Sequence, residues 1–304
     1  MEALILDIQR MSTEDGPGLR TTVFFKGCNL ACGWCHNPES ISFKPDLNWY
    51  MNKCINCDSC KDICPNGVLI KDESGVHFKD RSKCLTCGKC VDECPGAGIE
   101  LKGKKISVEK LKNELLKDRA YFGHDGGVTL SGGEVMMQPQ AATELAKLLK
   151  ADGVSVAIDT AGCYAWSLLE SILPYADIFL YDLKIFDADA HKKHTRVDNA
   201  HILDNYKRLI ATGARVWVRT PLIAGATDGE DNIKAIAEFL RDNGLPERWE
   251  LCTFNNLCKD KYTRLDLDWE YKAHEKTKKS YAEKLKETAQ KYVPCAVYSG
   301  VTTE

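Results

Sequence analysis

Apolar residues recur along this chain in two rhythms. From residue 106 onward, short apolar runs alternate with longer stretches in which apolar positions return every three or four residues. Alternation of that kind predicts strand–helix units and a parallel sheet. The strands read as 126–130 (GGVTL), 154–159 (VSVAID), 178–182 (IFLYD), 215–221 (RVWVRTP) and 249–254 (WELCTF). Helices are predicted over 107–121, over 137–151 with Ala141, Leu145, Leu148 and Leu149 on one side, and over 199–211 with Ile202, Tyr206 and Leu209 on one face. Two more follow, one carrying Ile233, Ile236, Ala237 and Leu240, the last spanning 269–292 with Tyr271, His274, Tyr281 and Leu285 on one stripe. Upstream, 3–8 (ALILDI) is a short strand, and 21–26 (TTVFFK), β-branched and aromatic, is a buried one. Counting from residue 21 gives six strands and an open, partial barrel. Polar motifs close several of these strands, and sheets of this kind carry their chemistry at the C-terminal edge.

The rhythm breaks between residues 49 and 100. Two copies of C-x2-C-x2-C-x3-C-P lie there, thirty residues apart: Cys54, Cys57, Cys60, Cys64 with Pro65, and Cys84, Cys87, Cys90, Cys94 with Pro95. This is the bacterial two-cluster ferredoxin pattern, in which the fourth cysteine of each run serves the other cluster. One [4Fe-4S] cluster would take Cys54, Cys57, Cys60 and Cys94, the other Cys84, Cys87, Cys90 and Cys64. Paired zinc knuckles are the alternative for such spacing. The expected division is a ferredoxin-like domain over 49–100 inserted in an α/β domain made of 1–48 and 101–304. Fully ligated clusters have no open iron, so their task is electron transfer.

Composition narrows the picture. The chain has 304 residues, 44% of them apolar, and a net charge of −3. That balance gives no footing for nucleic-acid or membrane binding. The opening MEALILDIQR has an apolar run too short for a signal peptide or a span, which places the protein in the cytoplasm. Fifteen cysteines are many for that compartment, where disulfides are rare, so metal ligation is the natural explanation. Eleven belong to the motifs; Cys163, Cys252, Cys258 and Cys295 are expected to be small buried hydrophobes.

The stretch GCNLACGWCHNP, residues 27–38, follows the 21–26 strand and holds Cys28, Cys32 and Cys35 in the spacing C-x3-C-x2-C. A four-iron cluster takes four ligands; three thiolates leave one iron open for chemistry. A structural zinc site is the bland alternative. Ser131-Gly132-Gly133-Glu134 closes the 126–130 strand, where two glycines allow close backbone approach and carbonyls and Glu134 can accept bonds from an ammonium group; a simple turn would look the same. Asp159-Thr160 and Asp182-Leu183-Lys184 close two more strands, and Lys184 could neutralise a carboxylate or close a buried ion pair. His191 and His194, in DADAHKKH, read as a solvated helix face.

The cysteine motif, with Trp34 before its last cysteine, resembles the radical S-adenosylmethionine signature, and the chain is similar nearly end to end to the activating enzymes of glycyl radical enzymes. The matching stretches are DGPGLR (15–20), TTVFFKGCNLACGWCHNPES (21–40), VTLSGGE (128–134), DTAG (159–162), DLK (182–184) and VRTPLIAG (218–225). The resemblance implies a partial (β/α)6 barrel of the radical SAM type with an inserted two-[4Fe-4S] ferredoxin-like domain. It implies three [4Fe-4S] clusters in all, the catalytic one on Cys28, Cys32 and Cys35, and S-adenosylmethionine as cosubstrate. Trp34 and His36 would pack on the adenine. Gly132, Gly133, Glu134, Asp182, Leu183, Lys184, Arg219 and Asn255 would contact the cosubstrate. Asp159, Thr160 and Asp182, with the Leu180 carbonyl, would correspond to a monovalent-cation site. The implied partners are a glycyl radical enzyme of dehydratase, decarboxylase or lyase type, whose glycine loop is the substrate, and a flavodoxin or ferredoxin-like electron donor. The sequence departs from the family pattern at Ala224-Gly225-Ala226-Thr227-Asp228 and at Thr253-Phe254-Asn255, where relatives end the strand with a histidine; Asn255 can hydrogen-bond but cannot change charge. A radical enzyme acting on a small molecule and an iron–sulfur electron carrier are the competing functions.

Overall fold

The structure is a computed structural model that describes every residue except Ser74. Its strands are β1 (Glu2–Ser12), β2 (Arg20–Phe25), β3 (Asp46–Trp49), β4 (Leu69–Asp72), β5 (Gly75–Phe78), β6 (Ile99–Lys102), β7 (Lys104–Ser107), β8 (Gly127–Gly132), β9 (Ser155–Thr160), β10 (Ile178–Asp182), β11 (Val216–Leu222), β12 (Arg248–Thr253) and β13 (Ala296–Ser299). One nine-stranded sheet runs β13-β12-β11-β10-β9-β8-β2-β1-β7. From β2 to β13 every neighbour pair is parallel; β1 and β7 add an antiparallel edge. β13 is a seventh parallel strand that the periodicity did not reveal, being only AVYS. Among the described residues no pairing joins β7 to β13, so the sheet is open.

The α-helices are α1 (Ser59–Asp62), α2 (Lys89–Asp92), α3 (Val108–Leu115), α4 (Pro139–Ala151), α5 (Trp166–Ile172), α6 (Ala188–Thr195), α7 (Ala200–Ala211), α8 (Glu230–Asn243), α9 (Lys259–Arg264) and α10 (Lys279–Gln290). Their buried stripes, such as Ala141, Leu145 and Leu149 on α4 and Ile233, Ile236 and Leu240 on α8, join the strand residues in one continuous core. The predicted helix over 107–121 is α for one half and 3-10 for the other. The predicted helix over 269–292 begins only at Lys279; Tyr271 and His274 precede it.

Arg20 shows what the DGPGLR stretch does locally. It is wholly buried at the start of β2, and its guanidinium donates to Thr129 Oγ1 (2.7 Å), Val128 O (2.8 Å) and Ser155 O (3.1 Å). Those acceptors lie at the N-terminal ends of β8 and β9, so Arg20 closes the sheet at the end opposite to the one where the loops carry chemistry. Burial lowers its pKa to about 10.

Residues 46–102 form a small unit with its own apolar cluster around Leu47, Trp49, Val68, Val76 and Ile99. β3 pairs with β6 and β4 with β5, both antiparallel. The thirty-residue repeat is written into the backbone: α1 and α2 are thirty residues apart, and so are the left-handed residue pairs Asn56 and Thr86, Asp58 and Gly88, Gly67 and Ala97. Non-glycine residues in that region are uncommon, so their recurrence marks a conformation each half must adopt. Lys26, at the end of β2, anchors this unit. Its fully buried ammonium donates to the Glu39 carbonyl and to Asp46 at 2.7 Å.

Candidate active site

At the C-terminal ends of β2 and β8 to β12 lies a cavity of about 280 Å³. Strand alternation decides what faces it. Along β11, Val216, Val218, Thr220 and Leu222 are buried, while Arg219 and Pro221 line the cavity. Register places Asp182 beside Arg219 and Tyr181 beside Thr160.

Of the residues expected from sequence, Cys28, Cys32, Cys35, Trp34, His36, Gly132, Gly133, Asp159, Thr160, Asp182, Lys184 and Arg219 line this one cavity. The three thiols sit on a loop held from both sides. Cys28 N–H donates to Ile41 O (3.0 Å), and the C-terminal carbonyls of α6 accept from Ala31 N (2.9 Å) and Gly33 N (3.1 Å). Leu30 N–H points at Cys28 Sγ, 3.4 Å away. Burial pushes the Cys35 thiol up to about 12 and raises Cys28 and Cys32 as well. Such thiols ionise only when a metal takes the proton's place. No three His, Cys, Asp or Glu side chains among the described residues converge closely enough for a single ion. Thiols spread around a cavity suit a cubane, whose irons occupy separate corners.

A line of charge runs across the floor. Arg219 pairs with Asp159 and, at 3.5 Å, with Asp182; Asp182 pairs with Lys184; Ser131 Oγ donates to Asp159 at 2.6 Å. Burial alone would raise the Asp182 carboxyl, but Lys184 and then Arg219 outweigh it and hold it below its ordinary range. Burial likewise opposes the charge on Lys184, and Asp182 overcomes it, raising the ammonium.

Three expected contacts fall outside the cavity. The Glu134 carboxylate turns into the fold, where it accepts from Thr160 Oγ1 (2.8 Å), Ala161 N (2.9 Å) and Met136 N (3.2 Å), and burial pushes it up to about 7. It staples the loop after β8 to the loop after β9 and leaves the carbonyls of that loop to meet a ligand. Leu183 packs in the main core, its N–H bonded to Arg219 O. Asn255 Oδ1 accepts from Leu257 N (3.2 Å), bound within its own turn. Gly133 needs its missing Cβ for another reason than a ligand: a methyl there would collide with the backbone carbonyls of Gly27 and Ser40.

His191 is also a correction. It is buried, not solvated, with Nδ1–H donating to Val197 O (2.8 Å), while the His194 ring tilts against Trp34 at 6.1 Å. Cys252 is more than a buried hydrophobe, since it lines the cavity. Its Sγ points at Glu250 O (3.8 Å), and the Arg219, Glu250 and Asp182 charges act on it.

Sequence reasoning missed the strap formed by residues 254–278. Trp269 Nε1–H donates to Gly33 O (3.0 Å), Lys261 to Asn37 Oδ1 (2.6 Å), and the Tyr271 ring lies under Gly33. Tyr262 stacks on Trp269 with ring centroids 5.1 Å apart. The aromatic density of 262–271 was its visible signal, and it reads equally well as a helix stripe.

Residues 22–240 match the model of the radical SAM superfamily. The trans-4-hydroxy-L-proline dehydratase activating enzyme of Clostridioides difficile is 40% identical over 94% of this chain and 95% of its own length. The chain belongs to the activating enzymes of glycyl radical enzymes. A second activase, the (2S)-3-sulfopropanediol dehydratase activating enzyme of Klebsiella oxytoca, is 33% identical over 99% of this chain and 97% of its own. The crystal structure of Streptococcus suis SuiB bound to a precursor peptide shares the fold, with a TM-score of 0.50 at 11% identity over 90% of this chain and 46% of that one. No helix of the described activase residues is long and apolar enough to cross a membrane.

Two further cavities lie in the 46–102 unit. One is lined by Cys54, Cys57, Cys60 and Cys94, the other by Cys84, Cys87, Cys90 and Cys64. In each, a cysteine from one repeat completes three from the other. Gly98 N points at Cys94 Sγ (3.2 Å) and Thr86 N at Cys84 Sγ (3.4 Å).

Proposed function

We propose that this activase binds S-adenosylmethionine against a [4Fe-4S] cluster held by Cys28, Cys32 and Cys35, and that its second substrate is the glycine loop of a partner enzyme. When bound, the cluster supplies the electron that splits the cosubstrate into methionine and a 5′-deoxyadenosyl radical, which takes a hydrogen atom from a backbone glycine of the partner. The observation that carries this reading is the meeting, in one cavity, of three thiols with Gly132, Gly133, Lys184 and Arg219.

The protein's own share is binding and exclusion of water. Lys184 and Arg219 offer cations to the cosubstrate carboxylate. The carbonyls after β8 and the Asp159 carboxylate offer acceptors to its ammonium. Trp34, Ile223 and Phe254 provide the apolar wall for the adenosyl group. Asp159, Thr160, Asp182 and the Leu180 carbonyl are the candidate ligands of a monovalent cation. The Arg219 guanidinium stands between the two carboxylates, so a cation enters only if Arg219 turns toward the cosubstrate.

The other eight cysteines would hold two further [4Fe-4S] clusters, with the ligand sets completed across the repeats. The two mixed-repeat cavities and the N–H groups aimed at sulfur support this reading, since such bonds stabilise cluster-bound thiolates. Electrons would come from a flavodoxin or ferredoxin-like donor in the cytoplasm. The test is anaerobic incubation of iron-loaded protein with S-adenosylmethionine and a strong reductant. Methionine and 5′-deoxyadenosine should appear, and adding a candidate dehydratase or lyase should give a glycyl radical visible by paramagnetic resonance. Failure to release methionine would reject the reading.

A further inference from the structure

Resting on the cluster reading above, we propose that the two cavities of the inserted unit stand in a fixed order: Cys84, Cys87, Cys90 and Cys64 form the inner site, beside the catalytic loop, and Cys54, Cys57, Cys60 and Cys94 the outer one. One electron, given up by a reduced one-electron carrier that is thereby oxidised, enters at the outer site. It passes through the inner site to the Cys28 loop, reducing each in turn.

The order follows from how the unit is attached. The catalytic loop and the unit share one anchor, the buried Lys26, which holds the Glu39 carbonyl on one side and Asp46 on the other. Gly103, between β6 and β7, closes the anchor from the other side, where a Cβ would come within 2.7 Å of the Lys26 Cδ. β3 leaves that anchor at Asp46. Leu47, the next residue, lines the Cys84 cavity; Trp49 lines the Cys54 cavity. Register agrees, for Asp46 lies opposite Lys102 at the anchored end of the ribbon and Trp49 opposite Ile99, another wall of the Cys54 cavity. Three residues of extended chain separate the two ends by about 10 Å.

A second path of contacts reaches the same side. Cys28 N–H is bonded to Ile41 O, and the Phe43 ring lies over Gly27. The segment that continues, 42–47, forms one wall of a groove whose other wall is Arg81 to Thr86, Cys84 included. Arg81 crosses that groove and donates to the Leu47 carbonyl. A few residues of chain therefore lead from Cys28 to Cys84. α9 also reaches the unit, where Arg264 lies 4.6 Å from the Tyr50 ring, a contact that braces the ribbon. Exposure does not separate the sites, since Leu85 and Cys87 are exposed at the inner one as Met51, Ile55 and Cys57 are at the outer one; the order rests on the attachment.

The experiment uses full-length, iron-loaded protein and two double variants, Cys54→Ala/Cys57→Ala for the outer site and Cys84→Ala/Cys87→Ala for the inner one. Iron analysis establishes what each retains: roughly twelve irons in the parent and roughly eight in each variant, at four per cluster. The readout is the microwave-power saturation of the reduced catalytic cluster's resonance signal, which relaxes faster the nearer another paramagnet lies. Loss of the outer site should leave the half-saturation power close to that of the parent, and loss of the inner site should lower it several-fold. The reverse pattern, or equal effects, would overturn the order. A parent with only about four irons would overturn the cluster reading and the order with it. Should a double variant fail to fold, Cys57→Ser and Cys87→Ser take its place: each keeps its cluster on three thiols but alters that cluster's relaxation, and only Cys87→Ser should move the half-saturation power of the catalytic cluster.

Discussion

The Tyr262 hydroxyl donates a hydrogen bond to the Cys35 carbonyl at 2.8 Å, between residues 227 positions apart in the chain. Through it the segment after the sixth parallel strand reaches back over the loop formed after the first. The catalytic loop is thus fixed by elements at both ends of the fold: α6 and the strap on one face, Lys26 and the backbone after β8 on the other.

This predicts a graded response in the strap. Tyr262→Phe keeps the stack on Trp269 and loses one hydrogen bond, a cost of about 1 kcal/mol. Trp269→Ala removes the stacked ring and the bond to Gly33 and should cost about 3–5 kcal/mol. Anaerobic denaturant unfolding of the iron-loaded protein measures both. Equal costs would mean that the packing around Trp269 contributes nothing.

The position of Cys252 gives a sharper test of the ligand set. Cys32→Ala should remove roughly four irons and Cys252→Ala none, at four irons per cluster. Iron lost from the Cys252 variant would make that thiol a fourth ligand and close the corner on which the chemistry depends.

Lys184 and Arg219 are expected to bind the cosubstrate carboxylate. Lys184→Met removes one charge-assisted hydrogen bond and should weaken S-adenosylmethionine binding roughly ten- to a hundredfold. Arg219→Lys keeps the charge but cannot span Asp159 and Asp182 as the planar fork does, and should also bind more weakly. Equilibrium dialysis under anaerobic conditions reports both; unchanged affinity in the two variants would remove them from the site.

Iron removal should act locally. In the 46–102 unit the apolar cluster is built largely around cysteines, with Cys60 and Cys90 buried in it and Cys54, Cys64, Cys84 and Cys94 packed against it. Without metal those groups enclose cavities and the unit has little else to hold it. Hydrogen exchange after chelation should show protection lost over residues 46–102 and kept in β8 to β11. Uniform loss across the chain would contradict this.

Much of the architecture could be read from the chain because strands and helices there obey simple periods. The strand at 178–182 was predicted to the residue, and the one expected over 215–221 falls at Val216–Leu222. The cross-repeat grouping of the eight cysteines was expected from the two-cluster ferredoxin pattern, and the two cavities group them in the same way. Other features depend on long-range packing. The direction of the Glu134 carboxylate is set by Thr160 and Ala161, 26 and 27 residues away, and no local pattern encodes it. The burial of His191 is set by the turn at Val197, and the strap's path by contacts to Gly33 and Cys35. β13 escaped notice because four residues are too few to show a period.

The central claim is that Cys28, Cys32 and Cys35 leave one iron free for the amino and carboxylate groups of S-adenosylmethionine. Electron–nuclear double resonance on the reduced protein, with cosubstrate labelled by ¹⁵N at the amino group and ¹⁷O at the carboxylate, tests it directly. The account predicts hyperfine coupling from both labels to the cluster. Bound cosubstrate with no coupling from either label would contradict it.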